Sequence, residues 1–372
     1  MAKLGDIATY INGYAFKPQD WSDEGIPIIR IQDLTGNSYQ ANRYNGEYAS
    51  KYEVNDGDVL ISWSASLGVY VWHGEKAVLN QHIFKVVFDK ERISKDFFVH
   101  QVSLILENAA SDAHGATMKH LTKPVFDALP FYLPPYEKQC EIAEVLDKVT
   151  SLISLRNQQL AKLDELVKAQ FVEMFGDPVN NPMNYPKSHL GKVCDVRDGT
   201  HDSPEYYDVG YPLVTSKNVT GGKIDLSECN LISEDDYKKI CERSKVDRGD
   251  IIMPMIGTVG KPVIVNIEPM FAIKNVALIK FTPDSLVTNI YIKTLLESDY
   301  FDRAVLDKIR GGTQKFIALG DIRKLEIILP DLKHQQCFSA FVERVEQQKQ
   351  TVQQSLEKLE LMKKALMQEY FG

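Results

Sequence analysis

Residues 133–176 read LPPYEKQCEIAEVLDKVTSLISLRNQQLAKLDELVKAQFVEMFG, and residues 329–372 read LPDLKHQQCFSAFVERVEQQKQTVQQSLEKLELMKKALMQEYFG. The two stretches align without a gap at a constant offset of 196. Leu133-Pro134 falls on Leu329-Pro330, Gln139 on Gln335, and Leu160, Lys162 and Leu163 on Leu356, Lys358 and Leu359. Lys168-Ala169 falls on Lys364-Ala365, and Glu173, Phe175 and Gly176 on Glu369, Phe371 and Gly372. A gapless match over such a length marks an internal duplication, which decides the fold before any local reading does.

Each copy carries a helical pattern. No Pro or Gly interrupts Glu137 to Phe175, and apolar residues recur at alternating steps of four and three: Ile142, Leu146, Val149, Ile153, Leu160, Leu163, Val167 and Met174. Arg156 and Gln170 are the polar exceptions. The second copy, Lys333 to Phe371, uses Phe338, Val342, Val345, Val352, Leu356, Leu359, Leu366 and Tyr370, with Lys349 and Lys363 as its exceptions. Both are heptad seams. At about 1.5 Å per residue each helix would span on the order of 55–60 Å. Gly176-Asp177-Pro178 supplies a glycine cap and a proline stop. The simplest path is an antiparallel helix pair with a domain at each end; a helix that only joins two copies of the chain is the plainer alternative.

Upstream of each helix the match continues with small shifts. Gly115-Ala116-Thr117-Met118-Lys119 pairs with Gly311-Gly312-Thr313-Gln314-Lys315 at 196, Gly57-Asp58 and Gly68 with Gly249-Asp250 and Gly260 at 192, and Leu4-Gly5 with Leu190-Gly191 at 186. Drift of this kind belongs in loops. Short apolar or alternating runs at Ile26–Ile31, Val59–Ser62, Val69–Trp72 and Ile83–Phe88 predict strands, as do Pro212–Thr215, Ile251–Met253, Val263–Val265 and Ala277–Phe281. Lys95–Glu107 and Thr288–Leu306 have helical periodicity. The expected fold class is α+β: two mixed α/β domains in pseudo-twofold arrangement, separated by two long antiparallel coiled-coil helices. The expected boundaries are 1–135 for the first domain, 136–176 for the first helix, 177–331 for a linker and the second domain, and 332–372 for the second helix.

Composition bounds the function. A 372-residue chain with 44% hydrophobic and 25% charged residues builds ordinary cores in two or three domains. No apolar run reaches the roughly 20 residues of a membrane span, and the opening Met1-Ala2-Lys3-Leu4-Gly5-Asp6 lacks a signal peptide's apolar stretch. Five scattered cysteines without a C-x-x-C pair read as reduced thiols of a cytoplasmic protein, not as a disulfide framework or zinc site. A net charge of −8 argues against coating nucleic acid non-specifically, while leaving room for local contact.

Catalytic signatures are absent. No two glycines flank a single residue, so the G-x-G of nucleotide and adenosylmethionine sites is missing, and no Gly-Lys pair precedes Ser or Thr as a Walker A loop requires. Leu133-Pro134-Pro135-Tyr136 has Leu where a base-holding methyltransferase motif needs Asn or Asp, so a domain-to-helix hinge explains it better. The histidines show no metal spacing, and Glu234-Asp235-Asp236 reads as a solvated helix start. The chain is expected not to be an enzyme, and to hold no metal or cofactor of its own.

Several loops instead carry the side chains that read base edges or phosphates. In the first half the candidates are Arg30, Gln32, Ser62, Ser64, Asn80, Gln81, His82, Thr117, Lys119 and His120. In the second they are Thr200, His201, Ser203, Thr215, Ser216, Lys217, Asn218, Lys274, Asn275, Arg310, Thr313, Gln314 and Lys315. The duplicated Gly-x-Thr-x-Lys pattern suits backbone anchoring, because glycine admits a phosphate to the amides while Thr and Lys donate to it. Base readout belongs to loops that differ between the halves.

With those residues in view, the chain resembles the specificity subunits of type I restriction-modification systems. The resemblance rests on residues 22–30, 79–84 and 117–121, on Asp198–Pro204 and Leu213–Asn218, on the helix openings at Leu133 and Leu329, and on the closings Phe175-Gly176-Asp177-Pro178 and Phe371-Gly372. It implies that each domain reads one half of a split, asymmetric target in double-stranded DNA. The helices would set the unread gap and dock two methyltransferase subunits. It further implies that S-adenosylmethionine is bound by those partners, and ATP and Mg by a restriction subunit. The competing reading is a coiled-coil scaffold whose variable domains bind protein partners.

Overall fold

The computed structural model describes residues 1–36, 42–112, 121–256, 261–305 and 316–372. These form two compact units, one of Met1–Asn157 with Gln354–Gly372, the other of Gln158–Gln353. Each is α+β, and each is described by itself.

Unit 1 is organised on β1 (Thr9–Asn12), β2 (Ile26–Ile29), β3 (Glu53–Val54), β4 (Val59–Ser62), β5 (Gly68–Val71), β6 (Ala77–Leu79) and β7 (Ile83–Val87). An antiparallel sheet runs β1-β7-β4-β5, with Asn12 and Ile61 both opposite Phe84. A second sheet places β2 parallel to β6, with β3 on the far side of β6. Helix α1 (Lys95–Asp112) covers the first sheet through Phe97, Phe98, Val102 and Leu106, which are buried with Tyr10, Ile61, Phe84 and Phe126. The pair Ala2–Lys3 and Pro130–Phe131 closes the unit just before helix α2 (Tyr136–Phe175).

Unit 2 repeats the plan with β8 (Asp195–Asp198), β9 (Tyr211–Val214), β10 (Asn230–Ile232), α3 (Glu234–Ser244), β11 (Ile251–Pro254), β12 (Val263–Ile264), β13 (Ala272–Ile273) and β14 (Val276–Lys280). Its antiparallel sheet runs β8-β14-β11-β12, and β9 lies parallel to β13. Asp198 and Met253 both face Ala277, as Asn12 and Ile61 face Phe84. The pair Lys187–His189 and Glu326–Ile328 closes this unit before helix α6 (Leu332–Phe371). The single helix expected over Thr288–Leu306 is two, α4 (Asn289–Leu296) and α5 (Asp299–Ala304). Ser298 interrupts them with extended backbone, its hydroxyl donating back to Leu295 O at 2.6 Å. The acidic run at Glu234 opens α3, capped by the Ser233 hydroxyl, which accepts from the Asp236 amide.

The two long helices are built into the cores. In unit 1 Ile142, Ala143 and Leu146 of α2 and Met367 of α6 are buried with the sheet-facing aromatics. In unit 2 Phe171 and Phe175 of α2 and Phe338 of α6 surround Tyr291, with ring centroids 5.1–5.6 Å apart. Each such ring contributes about 1.5–3 kcal/mol by burial. All ten positions of each heptad series, the polar exceptions included, are buried or half-buried. Among the exceptions, Lys349 lies 2.8 Å from Asp164.

Duplicated glutamines join helix to domain. Gln139, buried, donates from Nε2 to Pro134 O at 2.9 Å and accepts from the Ser94 amide at 2.9 Å. Gln335 donates to Pro330 O at 2.8 Å and accepts from the Thr288 amide at 2.8 Å. Each amide thus ties the first turn of a long helix to the segment entering α1 or α4. Gly176 ends α2 at φ +73°, and a Cβ there would stand 2.5 Å from Pro182 Cγ.

Candidate nucleic-acid interface

In each unit three segments meet at one end of the sheets: the end of β1 or β8, the loop after β2 or β9, and the turn before β7 or β14. Backbone bonds hold them in the same way twice. The Tyr14 amide donates to Leu79 O at 2.7 Å, as Thr200 does to Ile273 O at 2.9 Å. Asn80 donates to Ile29 O at 3.1 Å, as Lys274 does to Val214 O at 2.9 Å. The approach leaves no room for a side chain at the strand ends, since a Cβ on Gly13 would lie 2.1 Å from Asn80 O and one on Gly199 2.3 Å from Ile273 O. The loops after β2 and β9 are closed alike, the Arg30 amide donating to Asp33 Oδ2 at 2.8 Å and the Thr215 amide to Asn218 Oδ1 at 3.0 Å.

The side chains on this shared frame differ. The turn is Asn80-Gln81-His82 in unit 1 and one residue shorter, Lys274-Asn275, in unit 2. Both Gly13 and Gly199 then bond the next strand residue, at Ile83 O and Val276 O, 3.1 Å in each case. In unit 1 Asn12 Oδ1 accepts from Trp63 Nε1 at 3.1 Å, and the Trp63 ring lies 5.4 Å from that of His82. In unit 2 Asp198 occupies the place of Asn12 and accepts from Arg243 and, at 2.8 Å, from His201 Nε2. The other ring nitrogen of His201 is 2.9 Å from Asn275 Oδ1. Those two bonds, the Asn275 one first, raise the His201 pKa above its ordinary value. Lys274 Nζ donates to Ser203 Oγ at 2.8 Å, and Thr200 Oγ1 accepts from the Asp202 amide at 3.1 Å.

This placement corrects several expectations. Ser62, Ser64 and Asn218 are buried, so they offer no surface to a base edge. The Ser62 hydroxyl is turned onto Ser66 O, and Asn218 Oδ1 is taken up in closing its own loop. Both nitrogens of His201 are engaged within the chain, so it is no free donor. Arg30 is held beside Asp33 at 3.9 Å and over Trp21 at 5.7 Å. With the Asn42 amide oxygen turned toward it, the Arg30 guanidinium also donates there at 3.0 Å. Gln32, Asn80, Gln81, His82, Thr200, Ser203, Thr215, Ser216, Lys217, Lys274 and Asn275 do sit on the three segments, Lys217 and Ser203 exposed and the rest half-buried. Thr117, Lys119, His120, Arg310, Thr313, Gln314 and Lys315 lie outside the described residues. Among the described residues no three His, Cys, Asp or Glu side chains form a metal-holding group, and no helix is long and apolar enough to cross a membrane.

Sequence reading missed Gly13, Asn12 and Arg243, and met Asp198, Gly199 and Trp63 only as members of longer stretches, without their positioning roles. A signal for four of them was present: the offset of 186 that pairs Leu4-Gly5 with Leu190-Gly191 runs on to pair Asn12-Gly13 with Asp198-Gly199. Trp63 and Arg243 had none, because each acts through a partner distant in sequence.

A family described as type I restriction modification DNA specificity domain matches residues 1–165 and 182–361. The chain is 23% identical to the type I restriction enzyme EcoBI specificity subunit of Escherichia coli, over 92% of this chain and 78% of that one. It is 24% identical to the MjaVIII specificity subunit of Methanocaldococcus jannaschii, over 99% and 90%. Among solved structures, the S subunit of a type I restriction-modification system from M. genitalium matches all of this chain and 95% of its own, with a TM-score of 0.57 at 13% identity. A chain from a study of complex assembly and conformational transition in the type I R-M system covers 100% and 96%, with a TM-score of 0.58 at 17% identity. At these identities the structural likeness speaks for the fold.

Proposed function

The chain belongs to the type I restriction-modification DNA specificity family, and from that premise we propose that it reads a bipartite, asymmetric DNA target for a methyltransferase complex. Each unit takes one half-site. The observation that carries this is the duplicated frame around Gly13 and Gly199: the same backbone bonds recur while the side chains and turn length differ. A rigid frame with exchangeable side chains is what two different half-sites require. Phosphate anchoring falls to the duplicated Gly-x-Thr-x-Lys segments, through Thr117 and Lys119 and through Thr313 and Lys315.

The long helices set the gap as an antiparallel coiled coil and dock two methyltransferase subunits. The docking reading is supported by apolar residues left exposed outside the buried seam of α2: Val145, Leu152 and Leu155 in unit 1, Leu166 and Val172 in unit 2. Solvated helix faces are ordinarily polar, and apolar patches mark partner surfaces. The chain itself carries out no chemistry. S-adenosylmethionine belongs to the methyltransferase partners, and ATP and Mg to a restriction subunit where one is present. Partner surfaces supply the positive charge that a chain of −8 lacks.

The test is base-resolved methylation of a whole genome by the chain co-expressed with its methyltransferase. A single split motif with a fixed gap, lost when this chain is omitted, is the expected result. A stable complex that methylates no such motif refutes the proposal.

A further inference from the structure

We propose that His201 is a positioning residue of the unit 2 reading face, a doubly protonated latch that ties the end of β8 to the turn carrying Lys274 and Asn275. The proposal rests on the DNA-recognition reading above. Its geometric basis is that both partners of the ring are oxygens, Asp198 Oδ2 at 2.8 Å and Asn275 Oδ1 at 2.9 Å. A carboxylate and an amide oxygen both accept, and only an imidazolium donates from both nitrogens. Asn275 sits at φ +56°, a left-handed setting that the surrounding structure must hold in place. The latch supplies one such hold, and the Asn275 amide, donating to Thr200 O at 3.3 Å, supplies another. The ring therefore adds a side-chain tie between Asp198 and Asn275 to the backbone bonds that place Thr200, Lys274 and Asn275.

The charged surroundings make this latch titrate. Asp198 of β8, whose side chain is only 11% exposed, is shared with Arg243 of α3, which opposes the imidazolium charge in part. Lys274 is turned onto Ser203, and Arg197 onto Asp195. The ring itself is 60% exposed and so exchanges protons freely with solvent. Because the latched pKa is raised, the stabilisation is complete below the ordinary value of about 6.5 and is lost as pH rises through the raised one. Among the described residues unit 1 has no equivalent. Ala15 follows Gly13 at the interval at which His201 follows Gly199, and Asn12 bonds Trp63, a pair that does not titrate in this range. The part of the pH dependence that His201 carries should thus fall on one half-site only.

The experiment uses the whole complex of this chain with its methyltransferase, after the genome methylation above has supplied the motif. The probes are duplexes bearing that motif, with a single base pair changed in one half or the other. Discrimination against each change is measured from pH 5.5 to 8.5. For the wild type, discrimination at one half should fall about threefold to tenfold with rising pH, the range of one partly exposed charge-assisted bond. There H201A should show the low value at all pH, and H201R, a permanent cation with donors for both oxygens, should keep the high value at all pH. At the other half, where His82 lies on the corresponding turn, H201A and H201R should leave the profile as it is in the wild type. A wild-type profile at the first of these halves left unchanged by H201R, or an H201A profile matching the wild type there, overturns the latch while leaving the recognition reading intact. If H201A fails to fold, the wild-type and H201R profiles still decide. A complex that methylates no motif overturns both.

Discussion

Gln335→Ala is the sharpest test of how the long helix is fixed to its domain. The side chain is fully buried and makes three bonds: from Nε2 to Pro330 O at 2.8 Å and to Leu286 O at 3.1 Å, and to Oε1 from the Thr288 amide at 2.8 Å. Truncation orphans the buried Pro330 carbonyl, worth about 1–3 kcal/mol, and the half-buried Thr288 amide, worth about 1 kcal/mol. The Leu286 carbonyl belongs to an exposed residue and regains water at little cost. The expected loss is about 2–4 kcal/mol. Denaturant unfolding of the full chain would measure it, and hydrogen exchange at the Thr288 amide would localise it. The control is Gln336→Ala, one residue on and exposed, expected within about 0.5 kcal/mol of the wild type. Gln139→Ala, with one bond fewer, should cost no more than Gln335→Ala. A loss below about 0.5 kcal/mol for Gln335→Ala, or unchanged exchange at Thr288, would refute the clamp.

Other perturbations follow from the same geometry. Gly199→Ala places a Cβ 2.3 Å from Ile273 O and must displace the turn, so it should destabilise the chain by about 1–3 kcal/mol and weaken discrimination at one half-site only; equal losses at both would contradict the assignment of one half-site per unit. Leu155→Glu, at a side chain 57% exposed, should leave unfolding within about 0.5 kcal/mol while abolishing capture of the methyltransferase, and capture at wild-type yield would count against the docking face. Lys119→Ala and Lys315→Ala should weaken DNA binding of the complex regardless of sequence and reduce its salt slope by about one unit each, and an unchanged slope would remove them from the phosphate contacts. Cys194 is buried and its thiol is pushed up to about 12, so at pH 8 iodoacetamide should modify the exposed Cys140 and Cys337 and reach Cys194 only on unfolding; mass mapping of the labelled chain would show it.

Sequence alone determined the duplication, the α+β class and the long helices, because each rests on a local period. Heptad spacing holds its face whatever surrounds it, so the expected bounds of Glu137–Phe175 and Lys333–Phe371 stand one residue from the observed ones. The strand at Val59–Ser62 was legible for the same reason, as an apolar run after a Gly-Asp turn. The polar turns where the three segments meet were also legible by composition. What the tertiary structure decided is which of their side chains remain available. Ser62 and Asn218 look like readers in sequence yet spend their polar atoms closing their own turns, and His201 spends both nitrogens on Asp198 and Asn275. The pairing of Asn12-Gly13 with Asp198-Gly199 was present in the sequence at the 186 offset, but the close approach that requires those glycines, and the one-residue difference in turn length, emerge only when strands far apart in the chain lie side by side. For Ser62, Asn218 and the Asp198 side of His201 the partner is local, whereas the Asn275 partner of His201 comes from 74 residues away. No local pattern encodes that distance, so the elements could be read from sequence and the side-chain arrangement where the three segments meet could not.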